Sequence, residues 1–351
     1  MLTGRDRSRL EALRARTRQT LLEAIGDVRE VALLDMPNQR NVGDSLIWAG
    51  EIAYLRDIGI RVAYTSDIGG YRAEDVRAAM PHGVVLLHGG GNFGDLWPGH
   101  QAHRERILAE LPDYRIVQLP QSILFSSDES AARADAALVA HPDALVLLRD
   151  DESIERARVQ LPSAQVRFCA DMALGWDAPA DAGPRRDGDV LVIARSDHES
   201  ASGLAAVGGG WLGDGPVRVT DWGAIGGWAG VRWRIARAVT ALDRRLVQAS
   251  RRWGTPRLRI AHGLAEHAVA RINEENIRAA VALYAGSRLV VVDRLHAHVL
   301  ACLLGIENIV LDNSYRKIGS VFDAYTGGFS TALYASSVDD ARSLVEGLVS
   351  T

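Results

Sequence analysis

Two short stretches carry residues that could do chemistry. In "VVDRLHAH" (291–298), a run of valines is followed at once by Asp293, Arg294, His296 and His298. An imidazole titrates near neutral pH and suits proton transfer. A guanidinium fork suits a carboxylate or a phosphate. His296 and His298 are two apart, so on a helix they diverge and do not form a metal pair. One of them is an acid/base candidate and the other a structural histidine. The second stretch is "HGGGNFGDLWP" (88–98), after the apolar "VVLL". Gly89-x-Gly91-x-x-Gly94 has the spacing of a dinucleotide fingerprint, but that motif needs a helix starting within the glycines. Here Pro98 delays the helix to about Gly99, and the next strand, "IVQLPQS", ends without an acid for a ribose. No G-K-[ST] follows either, so a phosphate loop is excluded. What remains is a run of small residues that lets a polar ligand reach main-chain N–H groups, with Asn92 and Asp95 in reach; a tight turn is the plainer alternative.

Other segments of the same kind stand at strand ends. "NQRNVGD" (38–44) places Asn41 and Asp44 at a helix N-terminus, where Asp44 could also be only a cap. "LPQS" (119–122) offers Gln121, and "RDDES" (149–153) offers Asp151 or Ser153, either of which could merely cap. "ARSDHES" (194–200) supplies Arg195, Asp197, His198 and Glu199. Of the 40 basic residues only Lys317 is a lysine, which marks it in a chain that otherwise uses arginine.

To be functional, these residues must be set at strand ends, and the pattern predicts strands there. Short unalternating Val/Ile/Leu runs at 28–36, 60–67, 83–88, 114–122, 144–150 and 166–174 alternate with helical patterns at 43–59, 72–80, 100–111, 128–141 and 152–161. Such runs read as buried parallel strands, and βα repetition implies a sheet covered on both faces. "DAPADAGPRRDGD" (177–189) reads as a linker, after which strands at 190–197, 217–222, 287–294 and 308–313 resume around a long helical stretch ending near 285. The expected fold class is α/β, with two Rossmann-like domains, 1–180 and 187–351, and a cleft between them. In such sheets ligands bind beyond the carboxyl ends of the strands.

Bulk properties narrow the function. A net charge of −4 argues against general nucleic-acid binding. Cys169 and Cys302 lack metal-ligand spacing and read as buried thiols in a reducing compartment. No apolar run is long enough to span a membrane and no signal peptide opens the chain. A transit peptide would also be Arg-rich, but Glu11 and Glu23 favour a plain surface helix, with Leu10, Leu13, Thr17 and Leu21 on one stripe. Residues 225–260 hold nine arginines against the single acid Asp243, a local excess of 9 − 1 = +8, with Trp228, Trp233, Ile235, Val239, Leu242 and Leu246 interleaved. Two readings stay open for it: a helix resting on anionic lipid, or a docked surface helix in an Arg-biased chain.

Together, "NVGDSLIWAG", "LLHGGGNFGDLWP", "IVQLPQSI", "LLRDDES", "IARSDHE", "DRLHAHVLACLLG" and "VLDNSYRKIGSVFDAY" resemble the polysaccharide pyruvyltransferase family, in order from about residue 38 to residue 325. The resemblance implies a glycosyltransferase-B-like pair of domains. It implies transfer from phosphoenolpyruvate to two hydroxyls of a sugar, giving a cyclic pyruvate ketal and phosphate. Phosphoenolpyruvate is then a co-substrate, with no metal or other cofactor. His296 and Asp44 are the expected catalytic residues. Arg195, Arg294 and Lys317 are expected to bind the donor, on the 187–351 side. Asn41, Gly91, Asn92 and Gln121 are expected to bind the acceptor, on the 1–180 side. The expected acceptor is a glycan or its lipid-linked precursor for exopolysaccharide of the cell envelope, and the expected location is cytoplasmic, at the inner face of the membrane. The runner-up is a nucleotide-sugar-dependent glycosyltransferase of the same architecture; a non-catalytic glycan-binding protein is a third possibility, because fold alone does not decide chemistry.

Overall fold

The computed structural model describes residues 2–180, 182–184, 188–195, 202–207, 211, 217–222, 227–255, 259–312 and 316–349. Asp197, His198 and Glu199 therefore lie outside the described residues, as do parts of 177–189 and of 225–260.

An N-terminal helix, α1 (Gly4–Ile25), precedes a regular alternation: β1 (Glu30–Leu34), α2 (Val42–Asp57), β2 (Arg61–Ser66), α3 (Ala73–Ala79), β3 (Val84–Leu87), β4 (Gly90–Gly94), α4 (Pro98–Glu110), β5 (Arg115–Leu124), α5 (Asp128–Ala140), β6 (Ala144–Leu148), α6 (Asp151–Gln160) and β7 (Val166–Phe168). The strands form one seven-stranded parallel sheet in the order β2-β1-β3-β5-β6-β7, with β4 against β5. A second series follows: β8 (Asp189–Ile193), β9 (Val217–Thr220), α7 (Gly227–Trp253), α8 (Arg259–Tyr284), β10 (Ser287–Val292), α9 (Leu295–Leu304), β11 (Glu307–Leu311), α10 (Lys317–Ala324), β12 (Ala332–Ala335) and α11 (Val338–Val349). Its five strands form a separate parallel sheet, β12-β11-β10-β8-β9. The chain is thus α/β with two parallel sheets. The unalternating strands are buried on both faces, as their sequence demands.

In each sheet the first strand has its successor on one side and a later strand on the other. The order therefore reverses beside β1, between β1 and β3, and beside β8, between β8 and β10. These reversals are where an open α/β sheet leaves a crevice at its carboxyl edge.

The chain gathers into two compact units, each drawing on both halves of the sequence. One comprises Arg16–Gly175 with Ile225–Asn276, and the other Met1–Ala15, Trp176–Ala224 and Ile277–Thr351. The first unit therefore holds the first sheet together with α7 and most of α8. In that unit Arg237 Nη1 donates to Asn38 Oδ1 at 2.6 Å, Arg244 Nη2 to Asp67 Oδ2 at 2.8 Å, and the Glu266 carboxylate accepts from the Thr65 hydroxyl at 2.6 Å. Asn273, buried, donates to the Pro37 carbonyl at 3.0 Å and accepts from the Ser45 hydroxyl at 2.7 Å. The "long helical stretch" is thus a helical pair on the β1–β2 side of the first sheet. It leaves a small cavity lined by Ser66, Asp67, Thr240, Asp243, His262 and Glu266.

The N-terminal helix is more than a surface helix. Leu10, Thr17, Leu21 and Ile25 are buried, and the buried Asp6 accepts from the Ser330 hydroxyl and, at 2.8 Å, from its N–H. Both thiols are buried and free, and burial pushes each up to about 12. No described helix is long and apolar enough to cross a membrane.

Candidate active site

At the reversal in the second sheet, strand ends bring four of the candidate residues together. Arg195 follows β8 and Asp293 follows β10, and the Arg195 N–H donates to Asp293 Oδ1 at 2.8 Å across the reversal. Asp293 is buried; its second oxygen accepts from the Ser202 hydroxyl at 2.6 Å. Burial raises its carboxyl above the ordinary range, against the pull of those hydrogen bonds and of the two arginines. Arg294 is the N-cap residue of α9, and its guanidinium forks onto Asp221, after β9, at 2.9 and 3.0 Å. That two-point pair fixes the plane and direction of the guanidinium. His296 lies in the first turn of α9, half-buried.

His298 does something else. It is wholly buried, with Nδ1 2.6 Å from Asn308 Oδ1 and Nε2 2.8 Å from the Thr326 hydroxyl, and burial pushes it down to about 4. It is a neutral core histidine, which leaves the half-buried His296 as the acid/base candidate of the two. Lys317 opens α10, which follows β11, the strand beside β10. Asp312, at the end of β11, accepts the N–H groups of Ile318 and Gly319 at 3.2 and 3.1 Å, so a carboxylate caps the helix on which Lys317 sits.

The reversal in the first sheet carries a denser polar cluster. Asn41 is the N-cap of α2: its Oδ1 accepts from the Gly43 N–H at 2.9 Å and its Nδ2 donates to Asp44 Oδ2 at 2.8 Å. Gln39 donates to the same Asp44 oxygen at 2.7 Å. Asp44 is therefore oriented by two amides and is not itself the cap. A Cβ on Gly90 would stand 3.9 Å from Asp44 Oδ1, which puts the carboxylate against the glycine run.

That run is itself a strand. β4 continues the path of β3 along β5, after a break at His88–Gly89. Its glycines have packing reasons: Gly94 has φ +138°, and a Cβ there would lie 1.8 Å from the Leu124 carbonyl oxygen. Gly91 is half-buried in the middle of it. Gln121 lies inside β5 at a register shift instead of beyond the strand end, because β5 runs on to Leu124. Its amide donates to Asn92 Oδ1 at 2.9 Å and to the His88 carbonyl at 3.1 Å. Asn92 Oδ1 accepts also from Arg104 at 3.0 Å, and its Nδ2 lies 3.1 Å from His100 Nδ1. The amides of Asn92 and Gln121 thus hold each other and the glycine strand in place.

Several members of this cluster are absent from the sequence-based set. His88 Nδ1 lies 2.9 Å from Glu51 Oε2, both buried, and Glu51 Oε1 accepts the Gly89 N–H at 2.8 Å. Burial works to lower His88, but the Glu51 carboxylate outweighs it and holds the imidazolium up to about 9. Asp35, at φ +64° just past β1, lies 3.0 Å from His100, and that contact raises His100 and keeps the Asp35 carboxyl low against its burial. One signal was available: Glu51 is seven residues after Asp44, the same face of α2, and an acid on the apolar run "LIWAGEIAY" needs a partner. At "RDDES" the cap is Asp150, which accepts the Ser153 N–H at 2.8 Å, and Arg149 is a buried ion-pair partner of Asp171 at 2.6 Å.

The family model described as polysaccharide pyruvyl transferase matches residues 41–315. The chain is 27% identical over 315 residues to "Putative pyruvyl transferase EpsO" of Bacillus subtilis, covering 88% of this chain and 89% of that protein. It is 26% identical over 335 residues to Pyruvyl transferase 1 of Schizosaccharomyces pombe, covering 91% and 76%. A crystal structure of an uncharacterized protein from Klebsiella pneumoniae superimposes with a TM-score of 0.55 at 16% identity, over 93% of this chain and 99% of that one, a likeness of fold.

Proposed function

Since the chain belongs to the polysaccharide pyruvyl transferase family and is an enzyme of pyruvyl transfer, we propose that its donor is phosphoenolpyruvate and its product a cyclic pyruvate ketal on a sugar of a polysaccharide or of its lipid-linked precursor. The observation that carries this reading is the second sheet's reversal, where Arg195, the Asp221-anchored Arg294 and His296 follow adjoining strands.

Phosphoenolpyruvate presents a carboxylate and a phosphate, and both ask for cations. Arg195 and Arg294 serve as the forks and Lys317 as a compact charge for phosphate. His296 donates a proton to the methylene carbon. The neighbouring carbon becomes cationic and takes the first sugar oxygen. Its bond to the phosphate oxygen then breaks, and the second hydroxyl adds in place of the departing phosphate. Of the two hydroxyl protons, one restores His296 and the other leaves with phosphate, so the methyl group, the ketal and inorganic phosphate balance. Asp44, oriented by Gln39 and Asn41, is the candidate for hydroxyl deprotonation, beside Gly91, Asn92 and Gln121 on the acceptor side. No metal enters these steps. A glycosyltransferase-B-like fold class, and a cytoplasmic location at the inner face of the membrane, belong to the same proposal.

A thermal-shift panel tests it. Phosphoenolpyruvate should raise Tm, and the rise should vanish in Arg294→Ala. A rise with a nucleoside diphosphate and none with phosphoenolpyruvate would favour the glycosyltransferase reading instead.

A further inference from the structure

Helix α7 has two faces of opposite fate. One is committed to the first unit: Ala236, Thr240, Asp243, Val247 and Ser250 are buried at three- and four-residue steps, and Arg237, Arg244 and Arg251 reach from its border to Asn38, Asp67 and the Tyr71 carbonyl. On the outward side Trp228, Ile235, Leu242, Leu246 and Trp253 recur at steps of seven, seven, four and seven, which on an α-helix is one narrow stripe. All five are exposed, Trp228 by 80% and Trp253 by 72%. Scattered surface apolar groups need no explanation, but a contiguous stripe with two tryptophans does. Along one flank of it stand Arg234, Arg245 and Arg252, all exposed. The only acid in the helix, Asp243, is buried on the docked face. The outward face thus carries aromatic and aliphatic groups and cations, with no anion of the helix's own.

We propose that this face of α7 is a membrane-contact surface that lays the helix in the interface of an anionic lipid bilayer. Charge complementarity commits it to that occupant. The flanking guanidiniums match lipid phosphates and would repel a second copy of the same face, while tryptophans suit the boundary between headgroups and chains. The helix is held parallel to its domain by its other face, so it contacts a bilayer along its length and does not cross it. This surface is independent of the pyruvyl-transfer reading.

The test uses the full chain in vesicle flotation, with vesicles of phosphatidylcholine alone or with a third phosphatidylglycerol. The protein should float with the anionic vesicles at low salt and be released by high salt. Leu242→Glu, at an exposed position that does not disturb the docked face, should abolish flotation with an unchanged thermal melt. Arg234, Arg245 and Arg252 all changed to Gln should weaken it by roughly a hundredfold, about fivefold per arginine. Failure of the wild-type chain to float, or flotation of both variants at the wild-type level, would overturn the proposal. So would a stable dimer in light scattering that Leu242→Glu dissolves, which would assign the stripe to self-association.

Discussion

Two histidines separated by one residue have opposite surroundings here, and that sets what each can be asked to do. His298 is sealed in the core with both nitrogens engaged, whereas His296 sits half-exposed beside Arg294. Replacing His296 by Gln should leave phosphoenolpyruvate binding nearly intact while turnover falls by roughly 10²–10⁴, the cost of losing a general acid; calorimetry and steady-state rates read the two separately. A similar contrast applies to Lys317: Ala should weaken donor binding, and Arg should not restore it, since a planar fork does not fill the place of an ammonium. His88 makes a different claim, about stability. Its folded value near 9 lies above the ordinary value of 6.5, so the stability it confers is full below about 6.5 and is lost as pH rises through 9. That interval corresponds to about 3 kcal/mol. Denaturant melts from pH 6 to pH 9.5 should show the decline, and Glu51→Gln should remove it while lowering stability at pH 6. A parallel decline in wild type and variant would show that the pair is not responsible.

Among the elements, the glycine strand β4 is the least forgiving. Gly94→Ala puts a side chain on a φ of +138° and against the Leu124 carbonyl, and should cost more than about 2 kcal/mol in a denaturant melt. Most of the sheet strands were legible because a strand buried on both faces must be apolar throughout, and "VALLDM", "VVLLH" and "LVVVDR" satisfy that without alternation. β12 and α10 were not, since "ALYA" and "KIGSVFDA" are too short to carry a period. Among the candidate residues, the placement of Asn41, Asp44, Arg195, Arg294 and His296 at strand ends and helix starts was legible because each directly follows a strand or opens a helix. Asp35, Glu51, His88 and His100 could not be paired from the sequence, because their partners lie 8 to 65 positions away and proximity comes only with the sheet order.

For the whole molecule, the sheet count was readable and the interleaving of the units was not. The "DAPADAGPRRDGD" segment separates the last strand of one sheet from the first of the next, but α7 and most of α8 belong with the first sheet although they follow β9. Nothing local in a basic amphipathic helix says which body it will dock on, and here it docks through Ala236, Thr240, Asp243, Val247 and Ser250 and leaves the large apolar residues exposed. Arg237 and Arg244 of α7 and Asn273 of α8 meet residues near 38, 67 and 45, contacts some 180 to 230 positions apart. The central claim, transfer from phosphoenolpyruvate to a glycan, is tested most directly by phosphate release. A panel of glycan acceptors should be offered with phosphoenolpyruvate, each alone and both together, with the product examined by NMR for a ketal methyl group. The account predicts phosphate only when donor and a competent glycan are both present, in equal amount to new ketal. Phosphate released from phosphoenolpyruvate alone at the same rate, or sugar transfer from a nucleotide-sugar in its place, would contradict it.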